Sequence, residues 1–290
     1  MITCRFSGGL GNNLFQLANI YDIHTKTGIP YFIDRSFTRL TFDGKRLEDD
    51  NRFDQSHVFE IPLLFDNSFV YRDEVEYDFS KMKDYFHHDF AGAGNFLHKE
   101  PILTDNTVHN GYYQSHKYFS SFNLREAFEL NKSTVKSIKQ KYSNLFNKPT
   151  ISLHYRLGGD RKLSKIQKYH KNLSPKFYVD ALKSVENKTN KKLKDFNVLL
   201  FSDDMPLAMK ALDMFGVNYI PISNNNNIED FIHISLCDHN VIGNSTFGWW
   251  ASFMNQSEEA IRVVSKTNFV GPKYSNFILD DLFPADWVTL

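Results

Sequence analysis

Strands and helices alternate along the second half of the chain, and this alternation restricts the possible folds more than any other feature. Apolar runs of strand length lie at 151–153, 196–201, 217–220, 241–242 and 261–264. Helix-forming segments separate them, and one begins at Ser174-Pro175, a good N-cap followed by a first-turn proline. Such an alternation builds a parallel sheet with helical crossovers. The sequence therefore predicts an α/β fold with a Rossmann-like sheet in this half.

The first residues predict a second unit of strand, loop and helix. Ile2, Cys4 and Phe6 alternate with polar residues, as in a strand, and a glycine-rich loop at 7–13 follows. A helix and another apolar run come next. The amides of the loop and of the helix N-terminus can receive an anion, although the loop is neither a Walker sequence nor a G-x-G-x-x-G sequence.

The polar, lysine-rich segment 131–148 marks the domain boundary. We predict an N-terminal domain at 1–148 and a C-terminal domain at 149–290. We also consider that the last ~20 residues pack back on the N-terminal domain. The segment 39–101 is irregular, aromatic and acidic, and its periodicity assigns no element. Loops of this kind often carry binding residues.

Polar side chains follow three of the predicted strands. Ligands bind at the carboxyl ends of strands in open α/β sheets. There an Arg can hold a phosphate with two hydrogen bonds, a carboxylate can accept from a guanine edge, and a helix N-terminus suits a diphosphate. Singly, these residues could instead form an ion pair or cap helices. Jointly they predict a nucleotide site composed of His154, Arg156 and Asp160; Asp203 and Asp204; and Ser245 and Thr246.

The composition argues against several classes of protein. The 34 basic and 34 acidic residues give no net charge, so we expect no nucleic-acid partner. Cys4 and Cys237 are too few for a disulfide framework, and the adjacent His87 and His88 lack a paired downstream ligand, so no metal site is expected. No signal-peptide core and no apolar run of ~20 residues is found. We therefore expect a soluble, cytoplasmic protein without a transmembrane segment.

Five motifs span nearly the whole chain. They are Gly8-Gly-Leu-Gly-Asn-Asn-Leu-Phe-Gln-Leu-Ala18, Gly111-Tyr-Tyr-Gln-Ser115 with Lys117-Tyr-Phe119, His154-Tyr-Arg156, Phe201-Ser-Asp-Asp204 and Asn244-Ser-Thr-Phe-Gly-Trp-Trp250. In this order they resemble the motifs of the α-1,2-fucosyltransferases. The first motif and the tryptophan-pair motif are the most specific of the five.

The resemblance implies a GT-B fold, in which two Rossmann-like domains face a central cleft. It also implies an inverting reaction without an essential metal or other cofactor. GDP-fucose would bind mainly to the C-terminal domain, and the acceptor would approach from the N-terminal one. In this family resemblance, Arg156 would contact the β-phosphate, and His154 would contact the diphosphate or the ribose. Asp203 or Asp204 would contact guanine. The phosphates would also be held by Ser245, Thr246 and the Phe247 amide, and from across the cleft by Gly11 with Asn12.

The chain departs from the family motif at Leu157. The usual form is His-x-Arg-Arg-Gly-Asp, whereas here Leu157 replaces the second Arg and an additional glycine displaces the Asp to position 160. This spacing resembles the His-x-Arg-x-Gly-x-Asp of protein O-fucosyltransferases, which share the donor site but not the acceptor. The second cation is then absent or is supplied elsewhere, by Arg161 or Lys162.

The resemblance and the strand-end residues together predict a galactoside α-1,2-fucosyltransferase. This inverting glycosyltransferase would move L-fucose from GDP-fucose to the 2-hydroxyl of a terminal galactose in a glycan. Arg156 would stabilise the leaving group, Asp160 is the first candidate for the general base, and His154 is the second. Two alternatives remain: a fucosyltransferase with a different acceptor, such as a protein-linked one, and a non-catalytic protein that binds a GDP-sugar.

Overall fold

The computed structural model describes residues 1–34, 57–67, 69–72, 81–86, 96–120, 123–266, 270–272 and 277–290, except for the side chains of Arg72, Phe86, Asp160 and Lys165. The chain forms two compact units. The first comprises Met1–Leu130 and Phe277–Pro284, and the second comprises Asn131–Asn276 and Ala285–Leu290. The polypeptide therefore returns to the first unit, and then to the second, close to residue 290.

Short parallel strands and one long helix build the first unit. Its strands are β1 (Ile2–Cys4), β2 (Ile33–Asp34), β3 (Tyr71–Arg72), β4 (Lys83–Phe86) and β5 (Thr107–Asn110). Its α-helices are α1 (Leu10–Thr27), α2 (Ile61–Leu64) and α3 (Leu124–Ala127), and 3₁₀ helices lie at His57–Glu60 and His116–Phe119. Strand β5 lies between β1 and β4 in a parallel sheet, and β2 pairs with β3.

Helix α1 fixes the glycine-rich loop through two buried amide side chains. Gln16 accepts the Ser7 N–H at 3.1 Å and donates to the Gly111 carbonyl at 2.9 Å. Asn13 donates to the Ser7 carbonyl at 3.1 Å. The loop that follows β1 and the chain that follows β5 are thereby tied to one helix face, which explains why polar residues are buried in α1.

The second unit contains a six-stranded sheet in which every pair is parallel. Its strands are β6 (Thr150–Tyr155), β7 (Asn197–Ser202), β8 (Ile220–Pro221), β9 (His239–Ile242), β10 (Arg262–Val264) and β11 (Val288–Thr289). Its α-helices are α4 (Lys132–Lys141), α5 (Ser164–Gln167), α6 (Pro175–Thr189), α7 (Met205–Asp213), α8 (Asn227–Ser235) and α9 (Thr246–Phe253), with 3₁₀ helices at Gly159–Lys162 and Leu193–Asp195. The spatial order is β11-β10-β9-β6-β7-β8.

Strand β6 lies at the centre of this sheet and is buried along its whole length. Ile151, Leu153 and Tyr155 belong to an apolar cluster that also contains residues of α6 and α7. Because β6 has neighbours on both sides and residues packed on its faces, its carboxyl end is held rigidly. The structure therefore has the α/β fold and the parallel sheet that the sequence predicts.

The division between the units falls earlier than the predicted boundary at Lys148. Helix α4 packs against α8, and the Tyr142 ring stacks on His233 at 4.4 Å, so 131–148 belongs to the second unit. The sequence showed only a polar, lysine-rich segment there. Near the other end of the chain, Phe277–Pro284 belongs to the first unit.

Candidate functional site

The site that the sequence predicts lies where the order of the parallel strands reverses. Strands β6 and β9 are neighbours, while β7 and β8 lie beyond β6, and β10 and β11 lie beyond β9. Open α/β sheets bind ligands at such a switch point, outside the carboxyl ends of the strands. The structure places the residues that follow β6, β7 and β9 along this one edge, and so brings the three polar sets of the second unit together.

Arg156 and Asp203 connect the ends of β6 and β7. Their side chains form an ion pair. The Asp203 carboxylate also accepts the backbone N–H groups of Leu157 and Gly158, each at 2.8 Å. One carboxylate therefore holds both the guanidinium and the turn that carries it. The ion-pair alternative for Arg156 is thus correct for the structure, with Asp203 as a partner.

Two glycines give this turn its shape. A Cβ atom added to Gly158 would lie 2.6 Å from the Asp203 carbonyl oxygen and 2.9 Å from its carboxylate carbon. Gly159 has φ of +57°, in the left-handed region that favours glycine. The tight hydrogen bonding between the turn and Asp203 therefore requires that both residues lack a side chain.

Asp204 takes part in contacts of a different kind. Its side chain accepts the Leu207 N–H at 3.2 Å and caps α7, and it pairs with the exposed Lys162 at 2.7 Å. The hydrogen bond to Lys162 is the main reason why its pKa is lowered. The helix-cap alternative is thus correct for Asp204. Both Asp203 and Asp204 have protein partners in the structure. The guanine contact assigned to one or the other stays a prediction.

His154 is enclosed between β6 and α9. Its Nδ1 atom is buried and has no hydrogen-bond partner among the described residues. A Cβ atom on Gly248 would lie 2.6 Å from that Nδ1 atom. Burial lowers the pKa of His154 to about 4; Asp203 opposes this shift, and Arg156 and Arg161 add to it. The ring is therefore neutral near pH 7 in the ligand-free protein and can serve as a hydrogen-bonding group.

The N-terminus of α9 opens onto the same edge of the sheet. Ser245 is the N-cap residue, and its side chain makes no capping hydrogen bond with the helix. Thr246 and Phe247 form the first turn and, like Ser245, are half-buried. The first amides of a helix have no intrahelical partner, so they can bind an anion. The structure thus gives all three residues positions that suit the predicted phosphate contact, which stays a prediction.

Asp160 lies in the 3₁₀ helix Gly159–Lys162, but its side chain is outside the described part of the structure. Its assignment as the general base therefore stays a prediction. The same holds for any role of His87 and His88, which are outside the described residues.

The structure shows what Leu157 does in place of the second Arg. Its side chain is 5% exposed and belongs to the apolar cluster beneath the sheet. Of the two alternative cations, Lys162 is exposed and pairs with Asp204. Arg161 is 6% exposed and donates from Nη2 to the Asn244 carbonyl at 2.8 Å. Arg161 therefore lies between the turns that follow β6 and β9.

Gly11 and Asn12 lie in the first turn of α1, in the first unit. Asn12 accepts a hydrogen bond from Gln114 at 2.9 Å, so the first motif and the Gly111–Ser115 motif are in direct contact. Gly8 has φ of +78°, and a Cβ atom there would lie 2.4 Å from the Asn12 side-chain nitrogen. The contact of Gly11 and Asn12 with phosphates stays a prediction.

The sequence did not reveal the residues that brace the ends of β6 and β9. The Gly243 N–H donates to the His154 carbonyl at 2.9 Å, and a Cβ atom on Gly243 would lie 2.8 Å from the Tyr178 hydroxyl. Asn244 is buried, and its side-chain amide donates to the Lys171 carbonyl. Gly243 and Asn244 adjoin the predicted Ser245, but Tyr178 could be found only by knowing which face of α6 meets the sheet.

The described residues contain neither a candidate metal-binding group nor a membrane-spanning helix. Nowhere among them do three His, Cys, Asp or Glu side chains come together as a candidate metal-binding group. Within the same part of the chain, no helix combines the length and apolar character needed to cross a membrane.

Comparisons with known proteins agree with the motifs. A family model described as glycosyl transferase family 11 matches residues 60–290. The chain is 25% identical to the O-antigen biosynthesis glycosyltransferase WbnK of Escherichia coli, over 100% of both chains. It is 24% identical to the putative galactoside 2-alpha-L-fucosyltransferase svh-11 of Caenorhabditis elegans, over 98% of this chain and 77% of the relative.

A third relative and a solved structure extend this agreement. The alpha-1,2-colitosyltransferase of Escherichia coli is 21% identical, over 100% of this chain and 99% of the relative. The crystal structure of the fucosyltransferase NodZ from Bradyrhizobium matches with a TM-score of 0.53 and 14% identity, over 87% of this chain and 91% of that one. At this identity, the structural match bears on the fold.

Proposed function

Because the chain belongs to glycosyl transferase family 11, the α-1,2-fucosyltransferase family, we propose that it transfers L-fucose from GDP-fucose to the 2-hydroxyl of a terminal galactose in a glycan. The chain is a glycosyltransferase of the fucosyltransferase family, with a mixed α/β fold of the GT-B type. The donor, the acceptor and the linkage are the parts of this statement that we propose.

The observation that carries the proposal is the pairing of a cation with a helix N-terminus at the switch point. Arg156 follows β6, and the first turn of α9 follows the adjacent β9. A guanidinium and free helix amides both favour phosphate oxygens. A nucleoside diphosphate placed between them would meet positive potential on two sides, which supports a GDP-sugar as the donor.

This arrangement suits the departure of GDP. Negative charge grows on the β-phosphate as the bond to the fucose anomeric carbon breaks. Donors fixed in advance, such as Arg156 and the α9 amides, bind that charge more strongly in the transition state than in the ground state. The acceptor hydroxyl would attack from the opposite face, so the anomeric configuration inverts.

The proton of the acceptor hydroxyl needs an acceptor group, and we propose Asp160 for that role. Asp160 lies in the turn after β6, close in sequence to Arg156, and a carboxylate that is ordinarily ionised near pH 7 can accept a proton. The His154 ring is buried with its pKa lowered to about 4, so it is better suited to hydrogen bonding. A strongly dissociative transition state would need little help from any base.

The proposed reaction requires no metal ion, because Arg156 and the α9 amides would supply the positive field that a divalent cation supplies in other transferases. Activity should then be unchanged in EDTA.

Relatives support a glycan acceptor with terminal galactose. The names of two of them refer to O-antigen biosynthesis and to a galactoside 2-alpha-L-fucosyltransferase. The His-x-Arg-x-Gly-x-Asp spacing around Arg156 favours, as a second candidate, a fucosyltransferase with a protein-linked acceptor.

A product analysis tests the proposal. The protein is incubated with GDP-fucose or GDP-colitose and with a terminal β-galactoside, its 2-deoxy analogue, or a folded protein acceptor, with and without EDTA. We expect GDP release and an α-1,2-fucosylated galactoside, identified by NMR, and no product from the 2-deoxy analogue. A product on another hydroxyl or only on protein would contradict the proposed acceptor. A product only from GDP-colitose would contradict the proposed donor. GDP binding without turnover would indicate a non-catalytic protein.

A further inference from the structure

Arg161 is the buried cation of the candidate site, and backbone contacts hold it in place. Its own N–H donates to the Gly158 carbonyl at 3.1 Å, and its carbonyl accepts from the Gln167 side chain at 2.9 Å. Its guanidinium donates to the Asn244 carbonyl at 2.8 Å. The side chain thus reaches from the turn after β6 to the turn after β9.

The far end of this contact is also well fixed. Asn244 is 3% exposed, and its side chain is bonded to the Lys171 carbonyl. The next residue, Ser245, is the N-cap of α9. The guanidinium therefore lies beside the backbone that leads into the helix N-terminus, where the proposed diphosphate would bind.

Arg161 and Arg156 both act electrostatically on the His154 ring. Burial is the main cause of the lowered pKa of His154, Asp203 opposes it, and both arginines contribute to the lowering. Two positive charges on different elements thus act on one buried ring. Each can act on an anion bound next to that ring.

Neither of the other candidates for a second cation has this position. Leu157 is apolar and part of the core, and Lys162 is mainly exposed and paired with Asp204. We propose that Arg161 contacts the diphosphate of the donor as the second guanidinium of the site, in place of the Arg that normally follows Arg156 in the family motif. This inference rests on the proposed GDP-sugar function.

A planar guanidinium suits this role better than an ammonium group, because it can offer parallel N–H groups to a phosphate while another N–H bonds to a carbonyl. Reaching the diphosphate from the 3₁₀ helix also leaves the residue after Arg156 free to be apolar. The substitution at Leu157 and the burial of Arg161 then have one explanation.

The test compares ligands that differ only in their phosphates. Affinities for GDP and guanosine are measured for wild type, Arg161→Met, Arg161→Lys and Lys162→Met, together with thermal unfolding and fucose transfer. We expect Arg161→Met to bind GDP at least about tenfold more weakly, with guanosine affinity changed less than about twofold. Lys162→Met, which removes the next cation in the same 3₁₀ helix and the partner of Asp204, should leave the ratio of GDP to guanosine affinity close to wild type.

Each result has a defined meaning. If GDP and guanosine affinities fall together, Arg161 only supports the fold and the inference is overturned. An unchanged GDP affinity in a folded Arg161→Met protein overturns it as well, while transfer by the wild type would leave the proposed function intact. If Arg161→Met does not fold, the ratio of GDP to guanosine affinity is measured for Arg161→Lys and interpreted in the same way. No binding of GDP by wild type would overturn the function and the inference together.

Discussion

The Asp203 side chain joins the ends of β6 and β7 in the candidate site. It pairs with Arg156 and accepts two backbone N–H groups from the turn after β6. A carboxylate with these contacts both orients the guanidinium and fixes the backbone that carries it. We therefore regard Asp203 as a positioning residue for Arg156, in contrast to the guanine contact that the family resemblance implies for Asp203 or Asp204.

Asp203→Asn tests these two roles against each other. We expect fucose transfer to fall about a hundredfold, because Arg156 loses its charged partner. Inosine diphosphate lacks the 2-amino group of guanine, so the ratio of GDP to inosine diphosphate affinity measures recognition of that group. We expect the ratio to stay within about twofold of wild type, since base recognition is not lost. A ratio that falls toward one, with transfer little changed, would assign Asp203 to guanine.

His233 makes stability depend on pH. Both of its ring nitrogens are buried without hydrogen-bond partners among the described residues, and burial, followed by the charge of Lys141, lowers its pKa to about 4. Between pH 6.5 and 4 the unfolded chain therefore binds a proton that the folded chain does not. The free energy of unfolding should fall in this range, by up to ~1.4 kcal/mol per pH unit for such a group.

Asp230 acts in the opposite direction. Burial raises its pKa to about 6, so the folded chain binds the proton first and gains stability as the pH falls from 6 toward 4. Urea unfolding from pH 4 to 7 should show a shallower acid loss for His233→Phe and a steeper one for Asp230→Asn. His154 titrates in the same range and remains in both variants. Identical pH profiles for wild type and His233→Phe would contradict the assignment to His233.

At the scale of elements, the contact between β6 and α9 determines the site. Gly248 lets the first turn of α9 approach the His154 ring, and a Cβ atom there would lie 2.6 Å from Nδ1 and 2.7 Å from Cγ2 of Ile242. The same contact excludes water from Nδ1. The position of the α9 N-terminus relative to β6 therefore depends on residue 248 being a glycine.

Gly248→Ala should separate these elements. We expect a loss of about 1–3 kcal/mol in unfolding free energy, because the added methyl group overpacks a filled space. Urea unfolding measures this loss. Gly9→Ala is the control for an unhindered glycine, since no atom lies within 4 Å of a Cβ atom there, and as an N-cap change it should lose less than about 1 kcal/mol. A Gly248→Ala loss no larger than that of Gly9→Ala would contradict the overpacking.

The sequence predicted these elements wherever the pattern is local. The strand that carries His154, the helix that begins at Pro175 and the helix after Ser245 all occur at or near the predicted positions. Strands β4 and β11 were not predicted, because they are short and are defined mainly by pairing with distant residues. In α6, Tyr178 is fully buried and the neighbouring Phe177 is partly buried against the same apolar cluster.

The shared position of the polar sets was easier to predict than their contacts. The sets after β6, β7 and β9 lie along one edge, as expected from the shared direction of parallel strands. Sequence could not show that Leu157 is core, that Arg161 is buried, or that Asp203 bonds to the turn after β6, since these contacts join residues far apart in the chain. The family resemblance, and not the periodicity, supplied the chemical identity of the donor and acceptor.

At the scale of the whole molecule, the chain segment Phe277–Pro284 completes the first unit. Its anchor is Asp281, which accepts the His98 N–H at 2.9 Å and pairs with Lys117 at 2.5 Å. Lys117 belongs to a motif that the sequence shares with the α-1,2-fucosyltransferases. That residue therefore has a structural partner almost at the opposite end of the chain.

Asp281→Ala should weaken the first unit selectively. We expect a loss of about 2 kcal/mol in its opening free energy, because a charge-assisted hydrogen bond and an ion pair are removed together. Hydrogen exchange should show faster exchange in peptides from β1 and β5, and unchanged exchange in those from β6 and β7. Glu100→Ala, which removes an exposed carboxylate of the same unit, is the control. Uniform loss of protection in both units would contradict a local anchor.

The central claim is that Arg156, at the switch point of the second unit, stabilises the departing GDP. Its most direct test is the rate of fucose transfer by Arg156→Ala at saturating GDP-fucose and acceptor. We expect a fall of at least about a hundredfold, with thermal unfolding and guanosine affinity close to wild type, because the lost contact acts on charge that grows in the transition state. A folded Arg156→Ala enzyme that turns over at nearly the wild-type rate would contradict the claim.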